Sequence, residues 1–192
     1  MLMTTSSKRM RKEAESERER PSGIWFEPLS LGRGFVPLSK ESLSNAVLME
    51  HGFPNVIDFG TWRGSFTISK ESDSPFAGGV YFFDMEVPAE YPMKGPIVRI
   101  TTPIFHPLVD PETGYACVDI LSADKWSPAL QLKHIGLTIA NAVESWDVKY
   151  PPDADDCLNK EALALMKSDP KAYEARVREQ VAQQWDFGVV TE

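Results

Sequence analysis

The chain has 192 residues, 42% hydrophobic and 25% charged, which fits one globular domain with some extension. Net charge is −8 and uneven: residues 1–20 hold six Lys/Arg against four Glu, so the remainder stands at about −10. An acidic body argues against general nucleic-acid binding, and without a run of 18 apolar residues no membrane-spanning helix is expected.

The N-terminal stretch MLMTTSSKRMRKEAESERER has no apolar segment of signal-peptide length and is too acidic for a transit peptide, which argues against secretion. A cytoplasmic and/or nuclear location is the expectation. In residues 8–20 only Met10 and Ala14 are apolar, so a helix there has little to bury, and the stretch reads as a solvated charged tail. Its basic residues could also meet an acidic protein or a membrane surface. Residues 23–38, with Gly23, Gly32, Gly34, Pro28 and Pro37, read as a connector. Residues 1–38 are therefore taken as extension and connector, 39–187 as the core domain and 188–192 as a tail. A helix is predicted over 40–51, capped by Ser39 and ended by Gly52, with Leu43, Ala46, Val47 and Glu50 on one face.

Strand signals follow in Trp62 to Ile68, Gly79 to Val87 and Ile97 to Thr101, separated by Pro, Gly, Asp and Ser clusters. An irregular stretch from Pro103 to about Pro128 is long enough to suggest a functional loop. Leu132 to Ser145 is mostly apolar and predicts a buried crossover helix. Asn159 can cap a helix over 160–167. Asp169 caps another, with Pro170 at its first position and Tyr173, Val177 and Val181 at i, i+4 and i+8. Helix, strands, long loop, then helices is an α+β order with segregated layers.

The two cysteines, Cys117 and Cys157, have no zinc-ligand spacing with each other or with His51, His106 and His134, so no structural metal site is expected. In an apparently cytosolic chain they read as thiols rather than a disulfide. Cys117 lies in the long loop between Gly114, Ala116 and Val118, where a bulky partner could reach it. A thiol there is either a nucleophile or a small core residue. No His or Lys stands beside it in sequence to depress its pKa.

Six ordered segments, SPFAGGVYFF (74–83), VPAEYPMKGPIVRITT (87–102), IFHP (104–107), GYACVDIL (114–121), WSPAL (126–130) and DDCLNKEA (155–162), resemble the ubiquitin-conjugating enzyme family. The resemblance implies a fold with a four-stranded antiparallel meander, an N-terminal helix, a buried crossover helix and C-terminal helices. It implies that Cys117 accepts ubiquitin or a ubiquitin-like protein as a thioester from an activating enzyme and passes it to a lysine or a ligase cysteine. ATP is consumed by the activating enzyme, so this chain needs no cofactor. By the same resemblance Asp119 and Asp156 are acidic positions near the thioester that orient an incoming lysine. Asp156 follows a segment, SWDVKYPPDA, about six residues longer than usual in the family, and Cys157 stands where Pro is usual. His106 supports the loop, while Met93, Pro128 and Ala129 face the activating enzyme and ligase. Trp126 is read as a core aromatic, and His51 and His134 as surface or cap residues. The protein is expected to be a monomer or part of a larger complex.

Two departures matter. The family's His-Pro-Asn is His106-Pro107-Leu108 here, so the amide thought to brace the loop and to donate to the oxyanion during lysine attack is absent. The string FHPLVDP is also similar to the fused-toes, or AKT-interacting, proteins, adaptors with a ubiquitin-conjugating-like domain and no catalytic cysteine. This chain keeps Cys117, Asp119 and WSPAL. Finally, KRMRKE at 8–13 looks like the basic start of the family's first helix, which would make Lys8 and Arg9 partner contacts and 23–55 an insertion.

Overall fold

In a computed structural model of the chain, residues 8–10, 12–13, 23–28, 60–122, 124–144 and 157–186 are described below. Four strands lie in the order β1 (Ile24–Pro28), β2 (Thr61–Thr67), β3 (Val80–Glu86) and β4 (Ile97–Ile100), each antiparallel to its neighbour. Burial in β2 and β3 alternates residue by residue, as a sheet with one covered face requires. Trp62, Phe66, Tyr81, Phe83, Met85, Val98 and Ile100 face the core. The opposite face carries polar pairs such as Arg63 and Asp84, cross-strand partners bonded at 2.8 and 3.0 Å.

Helix α1 (Leu132–Glu144) covers the inner face with Leu132, Ile135, Gly136, Ile139, Ala140 and Val143. The approach is close at Gly136, where a Cβ would stand 3.0 Å from the Ile24 side chain. Helices α2 (Lys160–Ser168) and α3 (Pro170–Asp186) close the domain. Asn159 caps α2 by accepting from Ala162 N at 3.0 Å, and Asp169 caps α3 by accepting from Ala172 N at 3.0 Å. Tyr173, Val177 and Val181 are buried at the spacing expected of one helical face. Two glutamines of α3 tie it to the rest of the core: Gln184 accepts from Val80 N and Gln180 from Phe105 N.

The N-terminal segment departs from the expectation of an extension and connector. Ile24–Pro28, within the supposed connector, is a strand that pairs with β2 over its whole length. Residues 8–10 and 12–13 are helical, and Met10 and Glu13 are buried. The sequence signal there is weak because little apolar surface is buried. The segment is held instead by the Glu13 carboxylate, which accepts hydrogen bonds from Tyr91 Oη and Leu132 N, both at 2.7 Å. Residues 40–51, predicted as the first packed helix, lie outside the described residues.

Candidate active site around Cys117

The loop between β4 and α1 folds back on itself as a short antiparallel pair. Val109 and Ala116 form an isolated bridge, Cys117 N donates to Leu108 O at 2.9 Å, and Asp110 N donates to Tyr115 O at 2.9 Å. The returning arm is also sewn to β4, because Ile100 N donates to Gly114 O at 2.8 Å and Ala116 N to Val98 O at 3.1 Å. At the tip, the Asp110 carboxylate accepts from Thr113 N and Thr113 Oγ1 at 2.7 and 2.6 Å, which holds its pKa below the usual carboxylate value. Gly114 has φ +70°, and a Cβ on it would stand 2.2 Å from Ile100 O, so this turn admits only glycine.

Extended backbone alternates side chains, and Cys117 is half-buried between the buried Ala116 and Val118. Leu121 N donates to Val118 O at 2.9 Å, opening the 3₁₀ turn Asp119–Leu121 immediately after. Cys117 is thus fixed by hydrogen bonds on both sides of it in the chain. It shares a narrow crevice with His106, Leu108, Ile139, Ala142 and Val143. Both cysteines are thiols; Cys157 is buried. Leu158 N and Asn159 N both donate to Pro107 O at 2.9 Å, so the start of α2 is anchored to the loop that carries Leu108.

His106 is 1% exposed, and its Nδ1 accepts from Leu108 N at 3.1 Å. Burial pushes its pKa down to about 3, while a hydrogen bond with the Ala142 backbone partly opposes that. The ring is therefore neutral at pH 7. The ring lies between Phe76 (ring centroids 5.5 Å apart) and the backbone of Leu108. His134 sits at the start of α1, where its Nδ1 accepts from Gln131 N at 3.1 Å. Asn141, which could in principle replace the missing amide, is exposed on α1; its neighbour Ala142 lines the crevice instead.

The positions assigned to partner contact are on the surface. Met93 is 71% exposed, and Pro128 and Ala129 are exposed. Their two loops are joined through Trp126, whose Nε1 donates to Pro92 O at 2.8 Å and whose ring lies 6.2 Å from that of Tyr91. Trp126 is half-buried and braces the loops, a role its indole donor permits and that its reading as a core aromatic did not anticipate. The side chain of Asp119, and Asp156 and His51 entirely, lie outside the described residues.

A family model for ubiquitin-conjugating enzyme matches residues 44–181, well over half of the chain. With the α+β fold, this chain belongs to the ubiquitin-conjugating enzyme family. The matched segment starts after β1, so the described residues before it, 8–10, 12–13 and 23–28, join the same core without being part of the match.

Proposed function

We propose that this protein is an active ubiquitin-conjugating enzyme with Cys117 as its carrier residue. The observation that carries the reading is the half-exposed Cys117 in a loop arm bonded on one side to Leu108 and β4 and on the other to the 3₁₀ turn. In a family whose members handle ubiquitin or ubiquitin-like proteins with activating enzymes and ligases, a rigid and reachable thiol is the expected acceptor.

In the first step the Cys117 thiolate attacks the thioester carbonyl of a modifier carried by an activating enzyme. A new C–S bond forms, the old one breaks, and the departing thiolate takes a proton. One thioester replaces another, so the exchange is near-balanced and the modifier stays activated. In the second step a lysine amine attacks, an amide forms and Cys117 leaves as thiolate. A ligase cysteine could receive the modifier in the same way as the first step. Asp119 and Asp156 are proposed to orient the amine and help remove its proton. We read the helical residues near Lys8 and β1 as part of the same domain, with β1 as the first strand of the four-stranded family sheet.

Leu108 favours a second reading, an adaptor of ubiquitin-conjugating fold with weak or no transfer. Its side chain offers no donor to the oxyanion formed on lysine attack. Incubation with activating enzyme, ATP and a panel of modifiers separates the two. The enzyme reading expects an adduct on Cys117 that reductant removes. An adaptor instead forms a stable complex that survives Cys117→Ala and shows no adduct with any modifier.

A further inference from the structure

Glu13 is 7% exposed, and among the described residues three donors converge on its carboxylate. Tyr91 Oη donates to Oε1 at 2.7 Å, Leu132 N donates to Oε2 at 2.7 Å, and Arg9 Nε, one helical turn earlier, pairs with Oε1. Arg9 also reaches Leu130 O at 3.2 Å. A buried carboxylate persists only when it is paired and hydrogen-bonded, and this one is. The Leu132 N–H belongs to the first turn of α1, where backbone donors have no partner inside the helix and negative charge is favoured.

The donors come from places that matter. Tyr91 stands two residues before Met93. Leu132 N lies three residues after Ala129, and Leu130, whose carbonyl accepts from Arg9, directly follows Ala129. Trp126 Nε1 on Pro92 O fastens the two loops from the other side. One carboxylate near the N-terminus therefore holds both exposed loops against the start of α1. None of Arg9, Glu13, Tyr91, Trp126 and Leu132 lines the crevice at Cys117.

We propose that Glu13 is a positioning residue: through Tyr91, Leu132 and Arg9 it sets the Met93 loop and the Pro128–Ala129 loop as one docking surface for the activating enzyme. This rests on the reading of those loops as partner-facing. Loss of the carboxylate leaves two buried donors without this acceptor and lets the loops move independently. A partner that must fit both at once then meets the right arrangement in only a fraction of molecules, and its apparent affinity falls by that fraction. The exchange at Cys117, once the partner is bound, is untouched.

The test uses the full chain, labelled with 13C-methyl methionine, as wild type, Glu13→Ala, Glu13→Gln and Tyr91→Phe. The Met93 methyl resonance should shift or broaden in Glu13→Ala and Tyr91→Phe, while the core signals of Met85 and Met166 stay in place. Glu13→Gln, which keeps an acceptor, should lie closer to wild type. Transfer from charged activating enzyme should show KM raised about tenfold in Glu13→Ala with kcat within about twofold. An unmoved Met93 signal over an intact core overturns the proposal, as does a fall in kcat at unchanged KM. If Glu13→Ala unfolds, Tyr91→Phe decides alone, and disturbance of Met85 and Met166 together with Met93 in that variant makes the contact merely structural. If wild type accepts no modifier, the enzymatic reading fails, and the Met93 resonance still decides the clamp.

Discussion

At Leu108 the backbone and the side chain have separate consequences. The backbone N–H donates to His106 Nδ1 and the carbonyl accepts from Cys117 N, so the loop is braced without a side-chain amide. On the reading that the family's amide at this position donates to the oxyanion of lysine attack, the leucine offers no such donor. Losing such a donor costs about 3 kcal/mol of barrier, on the order of a hundredfold in rate. Leu108→Asn should therefore speed discharge of charged protein to free lysine, by up to about a hundredfold, with charging unchanged. An unchanged discharge rate would show that the amide is not what limits transfer. His106 makes a second prediction at this scale. Its pKa falls from 6.5 to about 3 on folding, so its contribution to stability is complete above pH 6.5. Below that pH the unfolded chain takes the proton first, and about 1.4 kcal/mol is lost per pH unit down to pH 3. Denaturant melts from pH 7 to 4 should show a shallower acid slope in His106→Gln than in wild type; equal slopes would contradict the buried neutral ring. Gly114→Ala should cost about 2 kcal/mol or more, because it adds a Cβ both at positive φ and against Ile100 O. A loss under about 0.5 kcal/mol in urea denaturation would mean that the turn can rearrange cheaply.

Elements with periodic apolar faces were legible from the sequence. The strands from β2 onward, α1 and α2 fall within a residue or two of expectation and α3 starts at the expected Pro170, because Trp62, Phe66, Tyr81, Phe83, Val98, Tyr173 and Val177 repeat at strand or helix spacing. Caps were legible for the same local reason: Asn159 and Asp169 each accept from the N–H three residues on. Asn159→Ala should destabilise the protein by about 1–2 kcal/mol, toward the upper end for a cap because the side chain is buried. A change within about 0.3 kcal/mol in a thermal or urea melt would show that α2 is held by packing alone. β1 was not legible. IWFEP has no clean alternation and ends on proline, and its placement is decided by pairing with β2, a long-range contact that no local window reports. The N-terminal helical residues stood only as the alternative first helix, for a different reason. Their anchor is a charged residue, Glu13, whose burial depends on Tyr91 and Leu132 far along the chain.

Over the whole molecule, the sheet and α1 build a platform on which the site loop is laid. β4 supplies its backbone partners, α1 closes the crevice behind Cys117, and the start of α2 anchors Pro107. The candidate site was legible as a set of motif positions: Cys117 and His106 line one crevice, and Met93, Pro128 and Ala129 are exposed. It was not legible where geometry mattered: neither the bracing by the Leu108 backbone nor the Trp126 link between the two exposed loops can be read from residue spacing. The central claim is that this platform presents Cys117 to carry a modifier. Intact-mass measurement after incubation with activating enzyme, ATP and a modifier tests it most directly. The wild-type chain should gain the mass of one modifier less water, and lose it on adding reductant. Cys117→Ala should gain none. A wild-type mass unchanged across all modifiers, or an adduct that persists in Cys117→Ala, would contradict the account.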